Sequence, residues 1–171
     1  MGIRVFNIVN DSVVDGPGIR LTIFTQGCFW NCLGCHNPAT HDPNGGYLID
    51  QNEILAMIKK NPLLDGVTFS GGEPFLQSTA LAPLAKEIKK IGLNVIAYTG
   101  YHWEALQREY KLHRPFLEEI DILIDGPYQA EHRSLALKYA GSTNQRIIDV
   151  QKSLVNQEII LVDHPELFIK K

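Results

Sequence analysis

The chain has 171 residues, of which 44% are hydrophobic and 20% charged, a composition typical of one globular domain with a buried core. Its formal net charge is -3, with no long run of either sign, which argues against phosphate-backbone recognition by clustered lysine and arginine. The apolar stretches are too short to cross a membrane. We therefore expect a single domain over residues 1–171 that binds neither nucleic acid nor a membrane.

The first half of the chain contains two predicted strands with a predicted helix between them. Residues 21–25 are rich in β-branched and aromatic side chains, which favours a buried strand. Asp50 and Glu53 stand three residues apart, the spacing of a capping box, so a helix is predicted to begin there and to continue through Ile58. Residues 67–69 form the second predicted strand.

A second helix is predicted from apolar residues that recur at helical spacing. These residues are Leu81, Leu84, Ala85, Ile88 and Ile91. Gly92 stands where a C-terminal cap belongs. Pro83 lacks a backbone N–H and fits only near the first turn of a helix, which leaves the start of this helix open from the sequence.

The remaining predicted elements continue the same alternation of strand and helix. Residues 94–98 and 122–124 are short apolar runs that favour buried strands, and residues 103–112 have a moderate helical pattern. Residues 158–162 are predicted to be a last, peripheral strand.

Strands that alternate with helices predict βαβ units and a parallel sheet with flanking helices. The chain has too few such units for an eight-fold barrel, so we expect an α/β fold in the form of a partial, open (βα) barrel. Glycine and polar residues follow the ends of the predicted strands, at positions 27–28, 70–73, 99–100 and 125–127. Parallel sheets build their sites at the carboxyl ends of strands, which places a candidate site there.

All the cysteines of the chain, Cys28, Cys32 and Cys35, lie within eight residues. An odd number of cysteines packed this closely is a poor disulfide framework and suits a reducing cytoplasm. Thiolates at this spacing favour an iron–sulfur cluster or zinc. A cubane cluster ordinarily takes four cysteines, so three would leave one iron open to a substrate.

Two other interpretations of the cysteines remain open from spacing alone. Zinc needs a fourth ligand, and His41 is a freer candidate than His36, which directly follows Cys35. In the second interpretation, the three cysteines bind no metal and are structural thiols. Metal analysis separates these interpretations.

The cysteine motif, followed by residues 70–74 with their Gly-Gly-Glu segment, resembles the signature of radical S-adenosylmethionine enzymes. Further segments are similar to activators of glycyl radical enzymes, in particular those that act on anaerobic ribonucleoside-triphosphate reductase: residues 14–20, 35–38, 98–101, 125–127 and 141–146. The resemblance runs from about residue 5 to residue 150. Residues 151–171 resemble nothing further and form a C-terminal extension.

The resemblance implies the radical S-adenosylmethionine type of partial barrel, with a [4Fe-4S] cluster and S-adenosylmethionine as cofactors. The implied reaction is reductive cleavage of S-adenosylmethionine to a 5′-deoxyadenosyl radical, which abstracts hydrogen from a glycine Cα. The implied partners are the large subunit of the anaerobic reductase and reduced flavodoxin or a similar electron donor. The alternatives are activation of another glycyl radical enzyme, such as formate acetyltransferase, and a non-catalytic zinc or iron–sulfur binding module.

The resemblance also assigns roles to residues. Cys28, Cys32 and Cys35 would ligate the cluster, and backbone at Gly34, Cys35 and His36 would meet the adenine. The methionine end of the cofactor would be lined by Ser70, Gly71, Gly72 and Glu73. Glu73 either accepts from an ammonium group or caps the following turn.

Further cofactor or cation contacts are implied at Thr99 and Asp125. Two positions depart from the pattern: Gly34 stands where many such enzymes have an aromatic residue, and Ala140 where arginine is common. Tyr128 and Tyr139 are interpreted as packing residues.

Overall fold

A computed structural model describes residues 2–169, which form a mixed α/β fold. In chain order the strands are β1 (Gly2–Ser12), β2 (Arg20–Thr25), β3 (Tyr47–Asp50), β4 (Gly66–Gly71), β5 (Asn94–Tyr98), β6 (Ile122–Asp125) and β7 (Arg146–Asp149). The α-helices are α1 (Gln51–Lys60), α2 (Ser78–Lys90), α3 (Trp103–Arg108), α4 (Tyr110–Leu117) and α5 (Val150–Asn156). No helix within this described range is long and apolar enough to cross a membrane.

The strands form one seven-stranded sheet in the order β3-β1-β2-β4-β5-β6-β7. Four of the five strands predicted from the sequence correspond to β2, β4, β5 and β6, and these pair in parallel. The flanking strands β1, β3 and β7 pair antiparallel to their neighbours, so the predicted parallel sheet is confined to the four central strands. An edge strand has one solvated side, and its apolar pattern is correspondingly diluted.

The two faces of the sheet are covered differently because side chains alternate along each strand. One face, which includes Leu21, Phe69 and Ala97, belongs to the main core together with buried residues from all the α-helices. The other face carries a smaller cluster of Ile96, Ile122 and Ile124, and partly buried residues from strands and from the connections between elements pack against it. The helices therefore leave this second face available for a site.

The predicted helix boundaries were partly right. The capping box is confirmed, since Asp50 accepts from the backbone N–H of Asn52 at 2.9 Å and Glu53 accepts from that of Asp50 at 3.3 Å. Gly92, with φ +84°, follows the end of α2 as expected for a C-terminal cap. Pro83, however, lies inside α2 rather than near its first turn, because the 3₁₀ turn that precedes the helix leads directly into it at Ser78.

Two further predictions were corrected in the second half. The helix predicted over residues 103–112 is two helices, α3 and α4, which meet at Glu109. Residues 158–162 are not a strand, and Leu161 makes only an isolated bridge to Ile148 of β7. Beyond it, Phe168 packs against the smaller cluster, and its carbonyl accepts from Asn94 Nδ2 at 2.5 Å. Phe168 thus covers the second face where β5 begins.

Candidate cofactor site

A cavity of about 550 Å³ opens at the carboxyl ends of the parallel strands, on the face that the helices leave uncovered. Each parallel strand contributes through the loop that follows it, with Cys28 after β2, Gly72 after β4, Thr99 after β5 and Gly126 after β6. The volume lies in the range of cofactor sites. The sequence prediction that these strand ends converge agrees with this geometry.

The three cysteines line this cavity, and each is free and half-buried. The loop that carries them is closed at its base, where Gly27 N donates to Thr40 O at 2.8 Å and Cys28 N donates to His41 O at 3.2 Å. Inside the loop, Cys35 N donates to Cys32 O at 3.1 Å, which makes a turn between these two cysteines. The loop therefore presents its thiols to one space.

The Gly-Gly-Glu segment extends the pairing of β2 and β4 beyond the strands. Gly72 N donates to Thr25 O and Glu73 N donates to Gly27 O, both at 2.8 Å. A Cβ on Gly71 would lie 2.6 Å from Phe24 Cα, and one on Gly72 would lie 2.4 Å from Gly27 O. Both glycines also line the cavity. Because they lack side chains, the cysteine loop packs closely against their backbone, and a ligand in the cavity can do the same.

Glu73 lies behind the cavity wall. Its side chain is fully buried, and its Oε1 accepts from Phe75 N at 3.0 Å and from Thr99 Oγ1 at 2.8 Å. Its Oε2 accepts from Trp30 Nε1 and from Gly100 N, both at 2.8 Å. Burial raises the pKa of Glu73, and the four donors oppose that rise. The sequence analysis expected Glu73 either to accept a hydrogen bond from an ammonium group or to cap the following turn. In the structure Glu73 caps the 3₁₀ turn Pro74–Gln77.

Asp125 is also fully buried, and its carboxylate faces Arg146 rather than the cavity. Arg146 donates to it from Nε at 3.0 Å and from Nη2 at 2.5 Å, and the backbone N–H of Trp103 donates at 2.8 Å. The guanidinium also binds both oxygens of Glu104. Thr99, by contrast, lines the cavity as well as binding Glu73.

Tyr128, interpreted from the sequence as packing, lines the cavity between two glycines. Its Cε1 lies 3.7 Å from the position of a Cβ on Gly34, and its Cδ2 lies 3.1 Å from that of a Cβ on Gly141. The ring of His36 packs against it with centroids 5.0 Å apart. The aromatic surface that Gly34 lacks is thus supplied from the loop after β6, beside Ala140, which also lines the cavity.

Several other residues that line the cavity were given no role from the sequence, among them Val14, Asp15, Trp30 and Tyr98. Asp15 is held by Ser12 Oγ, which donates to its carboxylate at 2.5 Å, and by Thr68 Oγ1, which donates to its carbonyl at 2.8 Å. Val14 and Asp15 belong to the segment 14–20 that resembles the activators, and Tyr98 ends a predicted strand. Their positions in that segment and at that strand end were the only indications in the sequence that they lie at the site.

The residues present fit an iron–sulfur cluster by the chemistry of their donors, since three soft thiol ligands border one cavity. Burial raises the pKa of Cys28 to about 11 and also raises that of Cys32, with a smaller contribution from the charge of Glu73. These thiols are protonated at neutral pH without metal, so metal binding must release protons. No three His, Cys, Asp or Glu side chains among residues 2–169 already stand in a metal-binding arrangement.

Comparison with known proteins supports the same chemistry. A protein-family profile described as a 4Fe-4S single cluster domain matches residues 14–148. The anaerobic ribonucleoside-triphosphate reductase-activating protein of Haemophilus influenzae is 32% identical over 143 residues, which cover 79% of this chain and 90% of that protein.

Other relatives match over a smaller share of their length. Pyruvate formate-lyase-activating enzymes of Clostridium pasteurianum and Staphylococcus epidermidis are 40% and 46% identical over 104 and 106 residues. Each alignment covers 57% of this chain, and the two cover 44% and 41% of those enzymes, so the matched region spans less than half of their length.

Among solved structures, QueE from Escherichia coli shares the fold, with a TM-score of 0.50 and 19% identity. That match covers 58% of this chain and 53% of QueE. From the profile and the relatives together, the chain belongs to the 4Fe-4S single cluster domain family and to the radical S-adenosylmethionine activases of glycyl radical enzymes, oxidoreductases whose cofactors are a [4Fe-4S] cluster and S-adenosylmethionine.

Proposed function

We propose that this chain generates the glycyl radical of an anaerobic ribonucleoside-triphosphate reductase. The observation that carries the proposal is the match to the reductase-activating protein, which extends over 90% of that protein. The matches to pyruvate formate-lyase-activating enzymes stop at less than half of their length. Family membership sets aside the non-catalytic binding module that the sequence left open.

In the proposed reaction, Cys28, Cys32 and Cys35 hold the cluster and leave one iron for the cofactor. When bound and reduced, the cluster supplies the single electron that cleaves S-adenosylmethionine to methionine and a 5′-deoxyadenosyl radical. The protein's own residues bind and orient the cofactor and keep water out. The hydrogen atom that this chemistry would remove is on a glycine Cα of the reductase large subunit.

The cavity walls suggest where each end of S-adenosylmethionine lies. Ser70, Gly71 and Gly72 form a wall of small residues, and we assign them, with Thr99, to the methionine end. The rings of His36 and Tyr128 form a flat surface on the cysteine-loop side, and we assign that surface, with the backbone at Gly34 and Cys35, to the adenine.

We also propose the partial (βα) barrel of the radical S-adenosylmethionine type for this fold, since the uncovered face of the parallel strands carries the cavity. The expectation of a single domain over residues 1–171, with residues 151–171 as its extension, stays part of this proposal. We also propose that the protein acts in the cytoplasm and is reduced by flavodoxin or a similar donor. A reducing compartment agrees with the three free thiols.

The test is anaerobic reconstitution with iron and sulfide, followed by incubation with S-adenosylmethionine, reduced flavodoxin and the reductase large subunit. Electron paramagnetic resonance is expected to show a glycyl radical on the reductase. A parallel incubation replaces the reductase with formate acetyltransferase. A loaded cluster that produces no radical on the reductase would contradict the proposal.

Activation of formate acetyltransferase is the second candidate, because local identity to the pyruvate formate-lyase-activating enzymes is higher, at 40% and 46%. In that case the parallel incubation gives the radical and the reductase incubation does not. The same experiment therefore decides between the two partners.

A further inference from the structure

The three-residue loop segment between Cys28 and Cys32 is anchored by the side chain of Trp30. Its indole Nε1 donates to Glu73 Oε2 at 2.8 Å. The ring also packs edge-on against Tyr101, with centroids 5.2 Å apart, and lies 5.1 Å from the ring of Phe29. Trp30 is thus held by an aromatic cluster and by one charge-assisted hydrogen bond.

The carboxylate that receives this bond is fully buried and saturated with donors. Each of its oxygens accepts two hydrogen bonds, and the donors are two backbone N–H groups, the Thr99 hydroxyl and the indole. An ionised carboxylate is an acceptor only, which matches four donors, whereas a protonated one would itself need an acceptor. The four donors therefore stabilise the charged form of Glu73 and oppose the burial that raises its pKa.

Gly100 is the third part of this arrangement. A Cβ on Gly100 would lie 2.4 Å from Trp30 Nε1, so the indole packs directly on the backbone after β5. Gly100 N donates to the same carboxylate oxygen as the indole does. Glu73 consequently joins three segments: its own loop after β4, the loop after β5, and the cysteine loop.

We propose that Trp30 and Glu73 form a positioning pair that fixes the middle of the cysteine loop and sets one buried negative charge beside the cluster. In this arrangement Glu73 does not contact S-adenosylmethionine but acts through the loop. A nearby buried anion favours the oxidised state of a cluster, so it makes the cluster a stronger reductant. This inference rests on the proposed function for the presence of the cluster but not for the position of the loop.

The positioning half is tested on the metal-free protein with Trp30→Phe, which keeps an aromatic ring and removes the indole N–H. Trp103→Phe, at the other tryptophan, which lies outside the cavity, is the control. The measurement is the rate of alkylation of each cysteine by iodoacetamide, read by mass spectrometry. Loss of one charge-assisted hydrogen bond is expected to speed alkylation of Cys28 and Cys32 about tenfold in Trp30→Phe alone.

The charge half is tested on reconstituted protein with Glu73→Gln, and the exposed Glu87→Gln on α2 is its control. The reduction potential of the cluster, followed by electron paramagnetic resonance, is expected to become more positive in Glu73→Gln and to stay at the wild-type value in Glu87→Gln. Trp30→Phe, which keeps the carboxylate, is expected to shift the potential less than Glu73→Gln does.

Equal alkylation rates in Trp30→Phe and Trp103→Phe would overturn the positioning role, and equal potentials in Glu73→Gln and Glu87→Gln would overturn the electrostatic role. If Glu73→Gln does not fold, Trp30→Phe still decides the first half. If the wild-type protein takes up no cluster, the proposed function and the electrostatic role fail together, while the alkylation rates still support or overturn the positioning of the loop.

Discussion

Replacement of Gly71 by alanine tests whether close approach of β2 and β4 places the cysteine loop. Gly71 has φ +94°, and a Cβ there would lie 2.6 Å from both Phe24 Cα and Thr25 N. Ordinary contact begins at 3.4 Å, so the two strand ends would have to separate by close to an ångström. Backbone atoms cannot rotate away as a flexible side chain can.

The expected cost has two parts. The left-handed conformation costs an alanine about 1–2 kcal/mol. Separation of the strands also weakens the hydrogen bonds from Gly72 N to Thr25 O and from Glu73 N to Gly27 O, each worth about 0.5–1.5 kcal/mol. We therefore expect Gly71→Ala to lower the free energy of unfolding by about 2–5 kcal/mol.

Gly92→Ala is the matched control, because Gly92 has a similar φ of +84°. Within the part of the chain that the structure describes, a Cβ on Gly92 would meet no other atom at close range. Its cost is thus the conformational part alone, about 1–2 kcal/mol. Urea unfolding of the metal-free proteins gives both free energies, and iron per protein after reconstitution reports on the loop. If Gly71→Ala matched Gly92→Ala in both measurements, the reasoning would be wrong.

Two further predictions concern the thiols and the surface ion pairs. Cys35→Ser is expected to lower the iron bound after reconstitution and to abolish glycyl radical formation, and a variant that kept its radical signal would sink the assignment of that ligand. Arg146 lowers the pKa of Glu104 to about 2, below its ordinary value of 4.5. The pair therefore stabilises the fold fully above about pH 4.5, and this contribution is lost as the pH falls toward 2. Because Glu104 is 56% exposed, the expected size is below about 1 kcal/mol, measured as the difference in unfolding free energy between wild type and Glu104→Gln at pH 6 and pH 3.

The central strands and the edge of the sheet that bears the site were predictable from the sequence for a physical reason. Parallel strands such as β4 and β5 are buried on both faces, so their sequences are continuous apolar runs followed abruptly by glycine and polar residues. Strand β1, which lies between β3 and β2, is half exposed and includes Asn7 and Asn10, which weakens its apolar pattern. Its place in the sheet depends on pairing with residues far along the chain.

The contacts inside the site were less predictable because they join distant segments. Trp30 and Glu73 are 43 residues apart, and no local pattern indicates that the indole reaches this carboxylate. The role of Tyr128 depends on the absence of side chains at Gly34 and Gly141, which only the fold brings together around one ring. The buried pair of Asp125 and Arg146 likewise needs the antiparallel register of β6 and β7.

The packing of Phe168 over Ile96, Ile122 and Ile124 has a kinetic consequence for the proposed reaction. It covers the second face of the sheet at the end where β5 begins, whereas Tyr98, at the far end of that strand, borders the cavity. Under the proposed function, we therefore expect cofactor and partner to approach from the side of the cysteine loop. Under the proposed function, S-adenosylmethionine binds before the partner's glycine segment, and methionine and 5′-deoxyadenosine leave after that segment withdraws. Turnover would accordingly be ordered, and excess partner would slow the release of products.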